Sequence, residues 1–285
     1  NNMQAAGNIA YCEELTSGNN AYFIARLYNN DWDSTYSGNV ALLTRDIVGA
    51  IEKRKGVSLE RILDAASGPL ALSRTLKRNT ISVDMNRFQM EFGVDACEDA
   101  NIRDNECYLG DITDLTQVVP LSQNPATVFD PRRRYQEAKP IANKSMDLVV
   151  ASLVFDILDK EGRNKFINEA HRVLDDNKYL VLVIPNKKID ESARKKFLED
   201  LTSKGFTNVD YLTGTYQGYR GSSQEKVDAY VVVAQKTDQL LVDYKDFQLQ
   251  PEVRVVEGAP VLKKNGKPRK RSTQHLHADY FIKTE

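Results

Sequence analysis

The chain is poor in the residues that usually announce a chemistry. Its three cysteines, Cys12, Cys97 and Cys107, are odd in number and widely spaced along 285 residues. That excludes a disulfide framework and a thiolate metal site, and it suits a reducing compartment, the cytoplasm. Histidine is as scarce: His275 and His277 alternate in the tail without a third ligand, which is weak ground for a metal, so none is expected. No apolar run approaches the roughly 18 residues of a membrane span, and no signal-peptide pattern opens the sequence, so no membrane association is expected. The first residue is Asn1 rather than methionine, as in a piece of a longer protein. Charge of one sign is also missing. A net charge of -1 gives no global field that would draw nucleic acid or a membrane surface.

What is present is enough for a full core. With 41% hydrophobic residues, the chain can bury a full core as one large domain, or as one domain with appendages. From residue 61 onward, strand-like and helix-like stretches alternate, as in a mostly parallel sheet covered on both faces. Residues 146–152 (MDLVVAS) and 179–185 (YLVLVIP) read as buried strands. Residues 160–174 carry Phe166, Ile167, Ala170, Val173 and Leu174 at helical spacing, and a helix over 190–204 stops at Gly205. Residues 209–216 and 228–235 are strands with only a loop between them, so one of the two runs antiparallel to the rest. The long stretch 115–144 reads as a loop.

The most informative segment is a βαβ unit. Asp64 ends one strand, the loop Ala65-Ala66-Ser67-Gly68-Pro69 follows, and Asp84 ends the next strand 20 positions later. Small residues let the backbone approach a ligand, and a carboxylate at that spacing accepts ribose hydroxyls. A dinucleotide loop needs G-x-G-x-x-G, because a pyrophosphate sits on bare amides. With Gly68 as the only loop glycine, an adenosine-bearing ligand without phosphates fits better than a nicotinamide cofactor.

Residues 64–69 together with Asp84 resemble the cofactor motifs of class I S-adenosylmethionine-dependent methyltransferases. The family loop is D/E-x-G-x-G-x-G. Here Ala66 takes the first glycine position, Gly68 the second and Leu70 the third, whose side chain is expected to intrude on the cofactor's methionine portion. Glu169-Ala170-His171-Arg172-Val173-Leu174 is similar to the family's E-x-x-R-V-L, while its K-P-G-G turn is replaced by Asp-Asp-Asn-Lys, which tolerates left-handed angles. The resemblance covers residues 22–236. It implies a Rossmann-like, mostly parallel seven-stranded sheet with helices on both faces, its last strand antiparallel and inserted. Beyond that lies a C-terminal β-rich or extended appendage. The expected organisation is an N-terminal lid segment over 1–58, the methyltransferase fold over 59–236, and the appendage with its basic stretch over 237–285.

The implied cofactor is S-adenosyl-L-methionine, contacted by Asp64, Ala66, Ser67, Gly68, Asp84, Met85, Asp111, Ile112 and Ser152. Asp111 at the end of the third strand could take the adenine amine or simply cap the next turn. The stretch 151–158 (ASLVFDIL) resembles the loop beside the sulfonium and offers Phe155 to a substrate. It lacks the N-P-P-Y or D-P-P-Y of amino-group methylation on DNA bases. Trp32 and Tyr36 are lid aromatics that can stack on adenine or attract the sulfonium. His171 reads as surface or packing. Arg132, Arg133 and Arg134 lie in the long insertion, and Lys263, Lys264, Lys267, Arg269, Lys270 and Arg271 in the tail. Such runs are usually solvated loops, and functionally they are phosphate contacts. The reading is methyl transfer to an unidentified acceptor, nucleic acid and RNA in particular being favoured, with no catalytic residue assigned. The alternative is a degenerate methyltransferase fold that binds or scaffolds within a larger polypeptide or complex.

Overall fold

The computed structural model describes residues 36–78, 80–95, 106–121, 139–152, 154–155, 158–185, 191–220, 223–237, 254–260 and 274–279. One sheet organises them, in the order β4-β3-β2-β1-β5-β6-β8-β7. Strand β1 (Ile62–Ala65) is central, with β2 (Thr80–Asp84) and β3 (Cys107–Leu109) parallel on one side. On the other side β5 (Met146–Ser152) and β6 (Leu174–Pro185) are also parallel to it. The chain therefore reverses its direction of travel between β1 and β5, which makes the carboxyl ends of those strands the crevice where open α/β sheets hold ligands. Strand β8 (Ser223–Lys236) is inserted antiparallel between β6 and the edge strand β7 (Phe206–Arg220).

The seven expected strands are present, with one addition. Two residues of the expected loop form β4 (Val119–Pro120), antiparallel to β3 at the far edge, and Val118 bridges Lys139. A proline is tolerated there because an edge strand has one side without a partner.

Two apolar layers sandwich the sheet. Residues of β5 alternate between them, as the two-residue period of a strand requires. Val149 and Ala151 join Phe166, Ile167, Ala170 and Val173 of helix α4 (Lys160–Val173) and Leu198 and Leu201 of α5 (Glu191–Ser203). Leu148 and Val150 meet Val40, Leu43, Ile47, Val48 and Ile51 of α1 (Tyr36–Lys55) on the opposite face. The described part of the N-terminal segment is thus a core layer rather than only a lid. The remaining helices, α2 (Ala71–Leu76) and α3 (Arg87–Asp95), link β1 to β2 and follow β2.

Local signals are placed as their chemistry dictates. Asp159 caps α4 by accepting the Gly162 amide at 2.7 Å. Gly205, at φ 86, ends the turn after α5. Near the start of β6 four residues oppose one, since Leu174 pairs Met146 and Tyr179 pairs Leu148, and Asn177 adopts φ 64 there. The buried ammonium of Lys236 donates to the carbonyls of His171 and Leu174 at 2.7 and 2.8 Å, a cation at the end of α4 where the helix dipole favours one.

In the tail, β9 (Arg254–Pro260) and β10 (Gln274–Asp279) form a separate antiparallel pair that lies against α1 and β7. His277 stands opposite Val256. Among the described residues no helix is long and apolar enough to cross a membrane.

Candidate functional site

Asp64 is the third residue of β1, 3% exposed, and the loop that follows has an unusual backbone. Ala66, Gly68 and Leu70 adopt φ of 61, 54 and 61, so every second residue is left-handed. These are the three positions that the family motif fills with glycine. Only Gly68 is a glycine here, and each left-handed non-glycine residue carries a conformational cost of about 1 kcal/mol or more. Leu70 meets that cost with burial. It is fully buried against Met90, Cys107, Leu109 and Leu121, so its side chain is part of the core rather than an intruder on the cradle.

The amides of Ser67, Gly68 and Leu70 are engaged within the protein. Ser67 donates its N–H to the Val83 carbonyl at 3.0 Å, Gly68 to Asp84 Oδ2 at 2.9 Å, and Leu70 to the Ser67 carbonyl at 3.2 Å. Pro69 has no N–H. No backbone donor from 67 to 70 is left for a pyrophosphate, which argues against the dinucleotide reading on physical grounds. Asp84 Oδ1 accepts the Asn86 amide at 2.7 Å, and the Asp84 carbonyl accepts Gly110 N–H at 3.1 Å. The tips of β1, β2 and β3 are in this way tied together around one carboxylate.

Helix α3 supports the loop from behind. Asn86 Oδ1 accepts the Gln89 amide at 3.2 Å and caps that helix. A Cβ added at Gly93 would lie 2.5 Å from the Pro69 carbonyl oxygen, so the helix rests directly on loop backbone there. A Cβ at Gly68 would come within 2.8 Å of Gln89 Oε1, and Gln89 itself is buried. Gln89 and Gly93 were not singled out from sequence. The only signal for Gly93 was a glycine inside a helical stretch, which marks a close approach.

Electrostatically the site is two acids without a counter-charge. Burial, and then the charge of Asp84, push the Asp64 carboxyl up to about 7. Burial also raises Asp84, opposed by the amides of Asn86, Gly68 and Met85. Among the described residues no cationic side chain pairs with either carboxylate. Ser67 Oγ is buried with no partner among them as well. Unpartnered buried polar groups are rare enough in folded proteins to suggest a ligand site. This one suits hydroxyls and positive charge.

The other sequence-selected residues divide. Met85 follows Asp84 at the β2 tip, half-buried. Asp111 accepts the Thr113 amide and hydroxyl, both at 2.8 Å, which is the turn-capping role. Ser152 ends β5 with its Oγ 3.5 Å from Thr44 Oγ1 of α1. Two of the expected contact residues have their side chains in the core. Ile112 is buried in the main core cluster. Phe155, expected to face a substrate, packs edge-on against Phe166 and Phe197 at 6.4 and 5.4 Å, with the Arg163 guanidinium over its ring. Burial of an apolar side chain beats display in both cases. His171 packs its ring edge against Phe206 beside Gly205, as a structural histidine would. Tyr36 is the first residue of α1, and Trp32, Arg132, Arg133 and Arg134 lie outside the described residues. The described residues contain no cluster of metal-ligating side chains.

No family model matches the chain, and no curated protein matches it. Solved structures do. An S-adenosylmethionine-dependent methyltransferase of Thermotoga maritima, described as a possible histamine N-methyltransferase, is 11% identical with a TM-score of 0.46, over 76% of this chain and 98% of that one. A provisionally assigned methyltransferase of the same cofactor class from Methanococcus maripaludis is 16% identical at a TM-score of 0.49, over 76% and 94%. A third, from Methanosarcina mazei, is 16% identical at 0.44, over 65% and 97%. The strand order and the inserted antiparallel β8 are the Rossmann-like fold of class I methyltransferases.

Proposed function

We propose that the chain binds S-adenosyl-L-methionine across the tips of β1 and β2 and transfers its methyl group to a nucleophilic acceptor, RNA being the favoured class. The observation that carries this is the closed loop beside two uncompensated acids, a cradle that repels phosphate and favours a cationic nucleoside. Asp84 retains lone pairs beyond those used by Gly68 and Asn86, and these suit ribose hydroxyls. Asp64 sets a negative charge beneath a positively charged ligand, and Asp111 keeps lone pairs beyond those used by Thr113 for an adenine amine. The ligand supplies an electrophilic methyl on a sulfonium, whose departure as a neutral thioether needs little assistance. What the protein adds is alignment and exclusion of water.

Calorimetric titration with S-adenosylhomocysteine and NAD tests the reading. The first should bind and NAD should not. Replacing a charged hydrogen bond to ribose is worth about 1.5–3 kcal/mol, so Asp84→Ala should weaken S-adenosylhomocysteine at least tenfold in a folded protein. Unchanged affinity removes the ribose assignment. A binding or scaffolding role within a larger complex is favoured by one observation: Ala66 and Leu70 stand at two of the three loop positions where the resembled motif has glycine. Tight S-adenosylhomocysteine binding without methyl transfer to RNA, protein or small acceptors would select it.

A further inference from the structure

Helix α3 brings to the cradle a polar side chain that no described residue pairs. Gln89 is the third residue of α3, in the turn that leaves the tip of β2, and Gly93 follows it by one helical turn on the same face. That face rests on the loop after β1. Gly93 leaves room for the Pro69 carbonyl, and one turn nearer the carboxyl edge the Gln89 side chain reaches Gly68, where an added Cβ would lie 2.8 Å from its Oε1. Gly68 is also the residue whose N–H binds Asp84 Oδ2 at 2.9 Å. The Gln89 amide and the Asp84 carboxylate therefore meet the same loop residue, one on its α-carbon side and the other at its nitrogen.

Gln89 is 7% exposed. Its backbone N–H goes to Asn86 Oδ1, but its side-chain amide has no hydrogen-bond partner among the described residues. The neighbouring Met90 shows what the core asks of this helix: it is apolar and joins Leu70, Cys107 and Leu109. A buried amide that pairs with nothing in the protein is uncommon, and its bonding capacity is open to a ligand. It also offers what the two acids lack, an N–H donor beside an acceptor, and rotation about its last side-chain bond can present either end. Asp84 as a carboxylate only accepts, so it takes a hydroxyl proton. The oxygen of the same hydroxyl still needs a donor, and Gln89 Nε2 is one.

We infer that Gln89 is a second ribose-binding residue, donating to a cofactor hydroxyl whose proton goes to Asp84; this rests on the methyltransferase reading above. The test is calorimetric titration of the full chain with S-adenosylhomocysteine and with its 2′-deoxy and 3′-deoxy analogues. Gln89→Met keeps the volume and loses the amide. It should weaken S-adenosylhomocysteine about fivefold, the worth of one neutral hydrogen bond. One of the deoxy analogues should lose almost nothing, because the hydroxyl that Gln89 serves is already missing there. A residue that only supports the loop would weaken all three ligands alike. Gln89→Glu keeps the shape but turns the donor into an acceptor, and should cost S-adenosylhomocysteine roughly tenfold, with the same deoxy analogue penalised least. Equal losses for all three ligands, or no loss in either variant, overturns the inference and leaves the methyltransferase reading standing on wild-type binding. If Gln89→Met fails to fold, the same comparison on Gln89→Glu decides. A wild type that binds no S-adenosylhomocysteine sinks the inference and the reading together.

Discussion

At the scale of single residues, Asp64 and Asp84 set the character of the site. Asp64 is buried and Asp84 half-buried, and among the described residues no cation pairs with either, which favours a positively charged ligand. The consequence for pH follows from the direction of the shift. Asp64 is raised by burial and by Asp84 to about 7, so the folded chain holds that proton more tightly than the unfolded one. Stability is therefore full below about pH 4 and is lost as pH rises through 7. Asp64→Asn should stabilise the ligand-free protein at pH 8 by about 4 kcal/mol at most, the rise from 3.8 to about 7 being worth ~1.4 kcal/mol per unit, with a much smaller gain at pH 4.5. Urea unfolding at the two pH values checks this, and an equal effect at both would reject the uncompensated pair. The same variant should weaken S-adenosylmethionine more than the uncharged S-adenosylhomocysteine sulfur.

At the scale of elements, the cradle depends on the contact between a helix and a loop. Helix α3 touches the Pro69 carbonyl through Gly93, where no side chain fits. Gly93→Ala must push the helix and the loop apart, and the loop carries the Gly68 amide that fixes Asp84 at 2.9 Å. Overpacking of this kind typically costs 1–3 kcal/mol. We expect a lower melting temperature together with at least a tenfold loss of S-adenosylhomocysteine affinity, read by calorimetry below the transition. A variant that is destabilised but binds normally would show that α3 does not position the loop.

The whole molecule raises the question of where the fold begins. Sequence reading draws a boundary at residue 58, with a lid before it, yet α1 packs its apolar side chains on one face of the sheet. Removing it would uncover Ile62, Leu148, Val150, Val181, Val183 and Val231, all nearly inaccessible in the intact chain. A contiguous apolar face of that kind drives aggregation. A chain cut to residues 59–236 should therefore fail to give a soluble, cooperatively unfolding protein, whereas one starting at residue 34 should keep that layer. A well-behaved 59–236 fragment, by circular dichroism and thermal melting, would show that the sheet does not need this layer.

The sequence by itself determined what is local and periodic. Alternating apolar runs set the strands and helices, and the separation of Asp64 from Asp84 placed two carboxylates at neighbouring strand tips. A loop with one glycine argued against a pyrophosphate before any contact was known. Asp-Asn-rich chemistry marked the turn at Asn177. The tertiary structure decided whatever depends on direction or on distant pairing. Ile112 and Phe155 lie in irregular segments, where no period says whether an apolar side chain faces ligand or core, and packing turned both inward. Leu70 looked like an obstacle because its sequence position is shared with a glycine, but the left-handed backbone aims it into a cluster built by β3 and α3. The engagement of the loop amides with Val83 and Asp84 joins two strands, so it exists only once they pair. The length of the β7–β8 pairing is likewise a matter of register. Each strand is readable alone, but how far the pair outruns β6 is fixed by hydrogen bonds between residues far apart in the chain.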